Sequence, residues 1–442
     1  MIKKFVKFGR IQKKHKCLSN FFFAFIVFYF VPVFCAPNTE TLILINRSWL
    51  SFYALLYGLS FIVLLEIFGH FENDFPLNKF IYLFFIFLSS SGAAFFLILI
   101  VWLVEYQFIG RYVIAYSIGI TVFFSFILFM FFQKISSALK TKVLLLVSLK
   151  NSEKIKSEMV AKNNNSIEFF YLSDIGVKND SLTSSTISDL RCVVVEQTDQ
   201  LNEIQIIDLL SSGIRILSLH QFWCEWYRVL PAEHVDLSML AELDLFKRRT
   251  FRNLIKRLSD IVFSFIGFFV FSPFLLVGIL AIIFDSGFPV FFSQTRSGLM
   301  GRPYKLYKLR SMRTSGEVNN TRWAVKKDKR ITTVGKVLRK WRVDEIPQLW
   351  NIFKGEMSIV GPRPEIPELD QYLNTKIPNW KWRSMVKPGL TGWAQVNYEY
   401  ASDLLSSKEK LAYDLYYLKN ISLTLDLEIV LSTLRTISNG SR

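Results

Sequence analysis

The stretch IVFSFIGFFVFSPFLLVGILAIIF, residues 261–284, decides how this chain is laid out. It is long enough to cross about 30 Å of bilayer hydrocarbon, so the side on which everything downstream lies depends on whether it crosses. Its upstream flank carries Lys247, Arg248, Arg249, Arg252, Lys256 and Arg257, and its downstream flank carries Arg296, Arg302, Lys305, Lys308, Arg310 and Arg313. The positive-inside rule assigns both flanks to the cytoplasm, which a single crossing does not allow. Ser272 and Pro273 at the midpoint offer a place to turn. Pro273 has no N–H for the Phe269 carbonyl and its ring crowds that carbonyl, which predicts a break or sharp kink. The freed carbonyl needs a donor at membrane depth, for which the Ser272 hydroxyl is a candidate. An ordinary kinked spanning helix is the alternative, and the matched basic flanks favour a re-entrant one.

Composition supports a membrane protein. Of 442 residues, 51% are hydrophobic and 16% aromatic, with 43 Phe, too apolar for an ordinary soluble chain of this length. Formal net charge is +17 and calls for an anionic partner. Nucleic acid, anionic lipid and phosphorylated substrates all qualify, and the membrane signal selects the last two. Cys17, Cys35, Cys192 and Cys224 are scattered without CxxC spacing, so neither a metal site nor a disulfide framework is implied. His15, His70, His220 and His234 all precede residue 240, so acid–base or nucleophilic chemistry in the last third must use other groups.

Working back from 261, residues 1–20 form a basic tail, and four apolar segments follow within 21–132: Phe21–Cys35, Trp49–Gly69, Phe80–Val104 and Tyr112–Phe132. The first is also readable as a signal peptide. Basic residues before the first segment and after the fourth fit an even number of spans. Glu66 is the only acid within these runs, so they read as an anchor rather than a transport path. From 141 to 240 the runs VLLLVSL (143–149), SIEFFYLS (166–173), CVVVEQ (192–197) and IRILSLH (214–220) read as buried strands. They alternate with helical stretches around 153–162 and 201–210, the pattern of an open parallel α/β domain. The turn after its first strand, SLKNSEK, lacks the glycines that let backbone approach a pyrophosphate, so the domain reads as structural or regulatory.

Working forward, residues 304–310 alternate apolar and basic residues, which makes either a cationic binding strip or a solvated strand face. A helix is predicted over Val334–Arg342, followed by VDEIPQLWNIFKGEMSIVGPRPE, residues 343–365. There Asp344 is placed to cap a helix that starts with Glu345, Ile346 and Pro347 and stops at Gly355. A carboxylate pair at a positive helix end is favoured in its ionised form, and phosphate is attracted to the same place. Ionised Asp344 is a competent nucleophile toward phosphorus, Glu345 beside it suits Mg²⁺, and Arg339 and Arg363 can clamp phosphoryl oxygens. On its own, such a pair at a helix start reads as a capping and dipole feature.

The spelling of the whole run from Arg249 to about Leu434 resembles the bacterial sugar transferases, the monotopic polyprenyl-phosphate phosphoglycosyltransferases. The resemblance rests on the Ser-Pro helix, QTRSGLMGRPYKLYKLRSMR, DKRITTVGKVLRKWRVDEIPQLWNIFKGEMSIVGPRPE, VKPGLTGWAQVNYEY and KLAYDLYYLKN. With four spans and an α/β domain in front, the chain looks like the large members that initiate exopolysaccharide or O-antigen synthesis. The resemblance implies transfer of a hexose 1-phosphate from a UDP-sugar to undecaprenyl phosphate, with release of UMP, on the cytoplasmic face of the bacterial inner membrane. Carried over, Asp344 is the nucleophile that forms a covalent sugar-phosphate intermediate, Glu345 holds Mg²⁺, and Arg310, Arg339 and Arg363 are phosphate-binding candidates. Anionic membrane lipid is a further partner, nucleic acid is not, and a homodimer is a natural use of the anchoring bundle. Rival classes are a membrane phosphatase or nucleotide-sugar hydrolase and a non-catalytic scaffold. The expected fold is a membrane α+β protein: an N-terminal four-helix transmembrane unit, a cytoplasmic α/β (Rossmann-like) domain at 141–240, and a C-terminal mixed α/β catalytic domain at 247–442 with re-entrant helix 261–284.

Overall fold

Short apolar runs separated by amphipathic stretches are the pattern of a parallel sheet, and the four strands read from the sequence do form one. These are β1 (Thr141–Leu146), β2 (Ile167–Tyr171), β3 (Leu190–Val195) and β4 (Arg215–Ser218), all parallel, in the order β2-β1-β3-β4. The computed structural model describes residues 17–31, 50–67, 79–105, 109, 111–138, 141–148, 151–153, 155, 167–171, 190–196, 203–235, 250–313, 330–398 and 403–438. The basic tail and most of the helix expected at 153–162 lie outside the described residues.

Ahead of the sheet lie four apolar helices: α1 (Cys17–Val31), α2 (Leu50–Ile67), α3 (Lys79–Glu105) and α4 (Arg111–Ala138). Tyr57 on α2 joins them. Its hydroxyl bonds Ser90 on α3 at 2.7 Å and donates to Thr121 on α4 at 3.4 Å, while its ring stacks on Phe28 of α1. Ile81–Val104 and Arg111–Phe131 are long and apolar enough to cross a membrane, whereas Cys17–Val31 and Leu50–Glu66 are shorter. Four full-length spans were expected, and by length two are present among the described residues of this part. The helix expected at 201–210 is α5 (Glu203–Ser211), which covers the sheet through Leu209. The chain divides into two compact units, Met1–Leu219 and His220–Arg442.

In the second unit the apolar stretch lies within a single helix, α6 (Thr250–Ser286). Of the break or sharp kink expected at Pro273, a break does not occur: the helix assignment runs through Pro273, and Ser272 Oγ donates to the Phe269 carbonyl at 2.9 Å in place of the missing N–H. One face of α6 rests on the folded domain along its whole length. Arg257 donates to the Ile352 and Phe353 carbonyls at 2.7 and 2.6 Å, and Asp260 accepts from Ser358 Oγ and the Ile359 N–H at 3.0 Å each. Phe268 packs with Leu306, Leu349, Ile352 and Met357; Leu275, Ile279 and Ile282 pack with Val290, Leu309 and Leu338. At the far end Arg310 Nη2 donates to the Ser286 and Gly287 carbonyls at 2.7 and 2.6 Å. The opposite face is bare and apolar, with Phe269 82% and Phe284 88% exposed.

The domain beneath α6 begins with the antiparallel hairpin β5 (Phe291–Ser297) and β6 (Pro303–Leu309). It continues through α7 (Thr333–Lys340), a tight helical turn at Val343–Glu345, and α8 (Gln348–Lys354). Parallel strands β7 (Ser358–Val360) and β8 (Gly389–Thr391) and helices α9 (Pro367–Lys376), α10 (Trp393–Asn397), α11 (Leu404–Lys419) and α12 (Leu423–Ser438) complete it. Its main core gathers Trp380, Trp393, Leu411, Tyr417 and Ile429, and also takes in Cys224, Leu230 and Ala232. Residues 222–235, which the sequence reading grouped with the α/β domain, thus pack in this second unit.

Candidate active site

Two glycines set the geometry of the acidic stretch. At Gly335 an added Cβ would fall 2.1 Å from the Ser311 carbonyl oxygen, so only glycine lets α7 lie against the end of the hairpin. Thr332 caps that helix by accepting the Gly335 N–H at 2.9 Å. The contact brings Arg339 Nε to within 2.9 Å of Ser311 Oγ. After α7 the chain turns through Arg342, held at φ 53°, and enters the helical turn Val343–Glu345. Gly355, at φ 89°, ends α8 where the sequence reading placed the stop. Asp344 is not the cap of α8. Pro347 occupies that position without a side-chain cap, because the tight turn already carries the chain into the helix.

Instead the two acids are buried beside β6, with Asp344 6% and Glu345 9% exposed. Asn351, fully buried, pins α8 to that strand by donating to the Lys305 carbonyl at 2.7 Å and accepting the Tyr307 N–H at 3.2 Å. Lys308 on β6 and Arg363 on the Pro-Arg-Pro loop then reach the same oxygen, Glu345 Oε1, at 3.0 and 3.1 Å. Arg342 approaches Oε2 at 3.7 Å. Burial by itself would raise the Glu345 carboxyl, but Lys308, Arg363 and Arg342 outweigh it and hold that carboxyl well below its usual range. Asp344 shifts the opposite way. Burial first, and then the Glu345 charge, push it up, only partly offset by Lys308, Arg339 and Arg363. Among the described residues the Asp344 carboxylate has no hydrogen-bond or ion-pair partner. One acid is therefore fixed as a charge and its neighbour is left available.

The loop carrying Arg363 is held from below. Arg383, 5% exposed, donates to the Arg363 carbonyl at 2.8 Å and pairs with buried Asp414 at 2.9 Å. The Gly389 N–H donates to the Pro362 carbonyl at 2.9 Å, and Arg296 donates to the Pro364 carbonyl at 3.2 Å. Glu365 pairs with Lys410 at 2.6 Å; although burial opposes it, Lys410 and Arg383 lower that carboxyl to about 2. An open cleft lined by Ser297, Gly298, Pro362, Arg363, Glu365 and Arg383 adjoins the loop.

Of the residues singled out in the sequence, Asp344, Glu345 and Arg363 come together, and Arg339 bears on Asp344 electrostatically. Arg310, 7% exposed, has its Nη2 occupied by the end of α6 rather than by the acid pair. Lys308, Arg342 and Arg383 were missed. Period-two alternation along β6 was the available signal for Lys308; a buried pair such as Arg383–Asp414 leaves none. The donor set suits Mg²⁺: two adjacent carboxylates, one unpaired, agree with an ion that takes one or two carboxylates and leaves its other positions to water and phosphate. Among the described residues no group of three or more His, Cys, Asp or Glu forms a metal cage.

A folded domain seated under a bare apolar helix, with a buried acid pair ringed by cations, is the architecture of a membrane-associated α+β protein. Residues 251–440 match the profile of bacterial sugar transferases. A UDP-N-acetylgalactosamine-undecaprenyl-phosphate N-acetylgalactosaminephosphotransferase of Aeromonas hydrophila is 44% identical over 186 residues, 42% of this chain and 44% of that protein. A UDP-glucose:undecaprenyl-phosphate glucose-1-phosphate transferase of Caulobacter vibrioides is 38% identical over 187 residues, 42% of this chain and 70% of that protein. One of the same description from Escherichia coli is 40% identical over 182 residues, 41% of this chain and 39% of that protein. The chain belongs to the bacterial sugar transferase family. The chain spans under half the length of the Aeromonas and Escherichia relatives, and the profile match over residues 251–440 contains the acid pair, the Pro-Arg-Pro loop and all but the first residue of α6.

Proposed function

We propose that this chain transfers a hexose 1-phosphate from a UDP-sugar to undecaprenyl phosphate at the cytoplasmic face of the bacterial inner membrane, releasing UMP. The observation that carries this reading is the arrangement of two neighbouring carboxyls, with Glu345 held by Lys308 and Arg363 at 3.0 and 3.1 Å and Asp344 unpaired beside it among the described residues. Asp344, unpaired and with its pKa raised, offers a more basic oxygen than an ordinary carboxylate once ionised. That oxygen attacks the β-phosphorus of the donor. The bond from this phosphorus to the oxygen bridging to the α-phosphate breaks, and UMP leaves with that oxygen. An oxygen of undecaprenyl phosphate then attacks the phosphorus held on Asp344, restoring the carboxylate and giving the lipid-linked sugar diphosphate.

The remaining residues bind and orient. Arg363, with its side chain 36% exposed against 20% for Lys308, is the cation of the ring best placed to turn to a phosphoryl oxygen. Arg339, fixed by Ser311 and acting electrostatically on Asp344, supplies a second phosphate contact. Glu345 would hold Mg²⁺ once Arg363 turns from its Oε1 to the substrate, and the ion would supply charge neutralisation for the donor diphosphate. Arg310 is assigned to the end of α6 and not to substrate.

Both ends and the middle of α6 are attached to one folded domain, which supports a helix that enters the bilayer and stays on one side over one that crosses. Its bare face gives the membrane contact, and the acid pair then lies near the depth of a lipid phosphate. The test is UMP release by membranes containing the full chain, with a panel of UDP-sugars. Release that needs both Mg²⁺ and undecaprenyl phosphate supports transfer. Free sugar phosphate without the lipid acceptor would make the protein a hydrolase instead.

A further inference from the structure

At the C-terminal end of α8, cations meet with too few anions. A Cβ at Gly355 would lie 3.2 Å from Arg257 Nη2 and 3.4 Å from Lys387 Nζ, so both cationic heads crowd the space this glycine leaves open. Arg257 is committed to the Ile352 and Phe353 carbonyls, the negative end of α8. Lys256, one residue away, is committed to Asp426 at 2.6 Å. Asp260 acts on Lys387 electrostatically, and its Oδ1 already accepts two hydrogen bonds, from Ser358 and Ile359. Lys387 itself makes no hydrogen bond or ion pair among the described residues. Burial, and then the Arg257 charge, lower its pKa, the mark of a cation held beside like charge.

Lys387 is not a loose surface lysine. The neighbouring Pro388 carbonyl accepts the Ser358 N–H at 2.9 Å, and Gly389 donates to Pro362, so the backbone here is fixed between β7 and β8. The position beside the cations also matters. The bare face of α6 runs past this point, with Leu254 52%, Leu258 52%, Val262 51% and Phe263 56% exposed, and Phe353 is 40% exposed at the end of α8. A cationic pair beside an exposed apolar helix face matches a molecule with an anionic head and hydrocarbon tails.

We infer that Arg257 and Lys387 form a binding site for the phosphate of an anionic membrane lipid, distinct from the acid pair and serving to seat the domain on the bilayer. The shared chemistry is a phosphate monoanion or diester, and the apolar face next to it selects the lipid over free phosphate. The site's cations make no contact with Asp344 or Glu345, and this inference does not depend on the reaction proposed above.

The test uses the full-length protein in nanodiscs of phosphatidylcholine doped with fluorescently labelled phosphatidylglycerol, read by energy transfer from the protein's tryptophans. Wild type is expected to enrich the labelled lipid, Lys387→Arg to retain that enrichment, and Lys387→Gln to lose about fivefold of it, as one surface cation contributes on this scale. Lys387→Arg also controls for folding. Enrichment unchanged in Lys387→Gln would overturn the site. Loss of enrichment on adding millimolar inorganic phosphate at constant ionic strength would show a free-phosphate site and overturn the lipid assignment. UMP release measured on the same samples separates this result from the catalytic reading, because Lys387→Gln is expected to keep turnover in detergent.

Discussion

Lys308 Nζ lies 3.0 Å from Glu345 Oε1, an ion pair formed across the gap between strand β6 and the turn that carries the acid pair. This contact links the hairpin to the site. Lys308→Met keeps most of the side-chain volume but leaves Glu345 with two cations instead of three, and the Glu345 carboxyl should rise. The expected cost is about 1–3 kcal/mol of stability, because a buried charge loses a hydrogen bond without being removed. Chemical denaturation of the purified protein measures this, and a cost within 0.5 kcal/mol, about the usual range for surface substitutions, would mean the pair is not a structural link.

Opposite pKa shifts give the two acids opposite pH behaviour. The folded Glu345 carboxyl lies below its unfolded value of about 4.3, so it adds stability above that pH, and this is lost as pH falls toward the folded value. Glu345→Gln should therefore be less stable than wild type at pH 7 and converge with it in acid. The folded Asp344 carboxyl is raised, so its ionisation costs stability once pH exceeds the unfolded value of about 3.9. Asp344→Asn should melt at or above the wild-type temperature at pH 7, with the difference shrinking toward pH 4. A melting temperature that falls in Asp344→Asn at neutral pH would contradict this assignment.

Arg310 provides a contrast between binding and support. Its Nη2 holds the Ser286 and Gly287 carbonyls, so Arg310→Leu frees the end of α6. Stability should drop by about 2 kcal/mol, while the KM for the UDP-sugar in surviving protein should stay within twofold. An unchanged melting temperature with a large rise in KM would return Arg310 to the phosphate site.

Arg383 supports the loop that presents Arg363. Removing its guanidinium in Arg383→Met leaves Asp414 and Glu365 buried without their shared cation. A loss of about 3–5 kcal/mol is expected from breaking such a pair on one side. Denaturation midpoints of Arg383→Met and the double variant Arg383→Met/Asp414→Leu check this, and the second should recover part of the loss.

Much of this arrangement was legible in the sequence where a local rule acts. Short apolar runs fixed four parallel strands, Gly355 fixed a helix end, and Ser272 beside Pro273 indicated the donor that rescues the Phe269 carbonyl. The same rescue accounts for a helix that continues past Pro273 where a break or sharp kink was expected: a side-chain hydroxyl substitutes for the missing N–H. Asp344 looked like a cap because an acid before Glu-Ile-Pro has that spelling, and the left-handed turn at Arg342 that displaced it has no sequence sign in a non-glycine residue. Lys308 near the end of β6 and Arg310 just past it stand two apart, yet only their long-range partners, Glu345 and Ser286, separate a site cation from a structural cation.

The central claim is that Asp344 carries the sugar phosphate. Membranes containing the full chain are incubated with UDP-sugar and Mg²⁺ but without undecaprenyl phosphate, and the protein is digested for mass spectrometry. A hexose-phosphate adduct on Asp344 that disappears when undecaprenyl phosphate is added, and is absent in Asp344→Asn, is the predicted result. Turnover by Asp344→Asn, or wild-type turnover with no adduct at any time point, would contradict it.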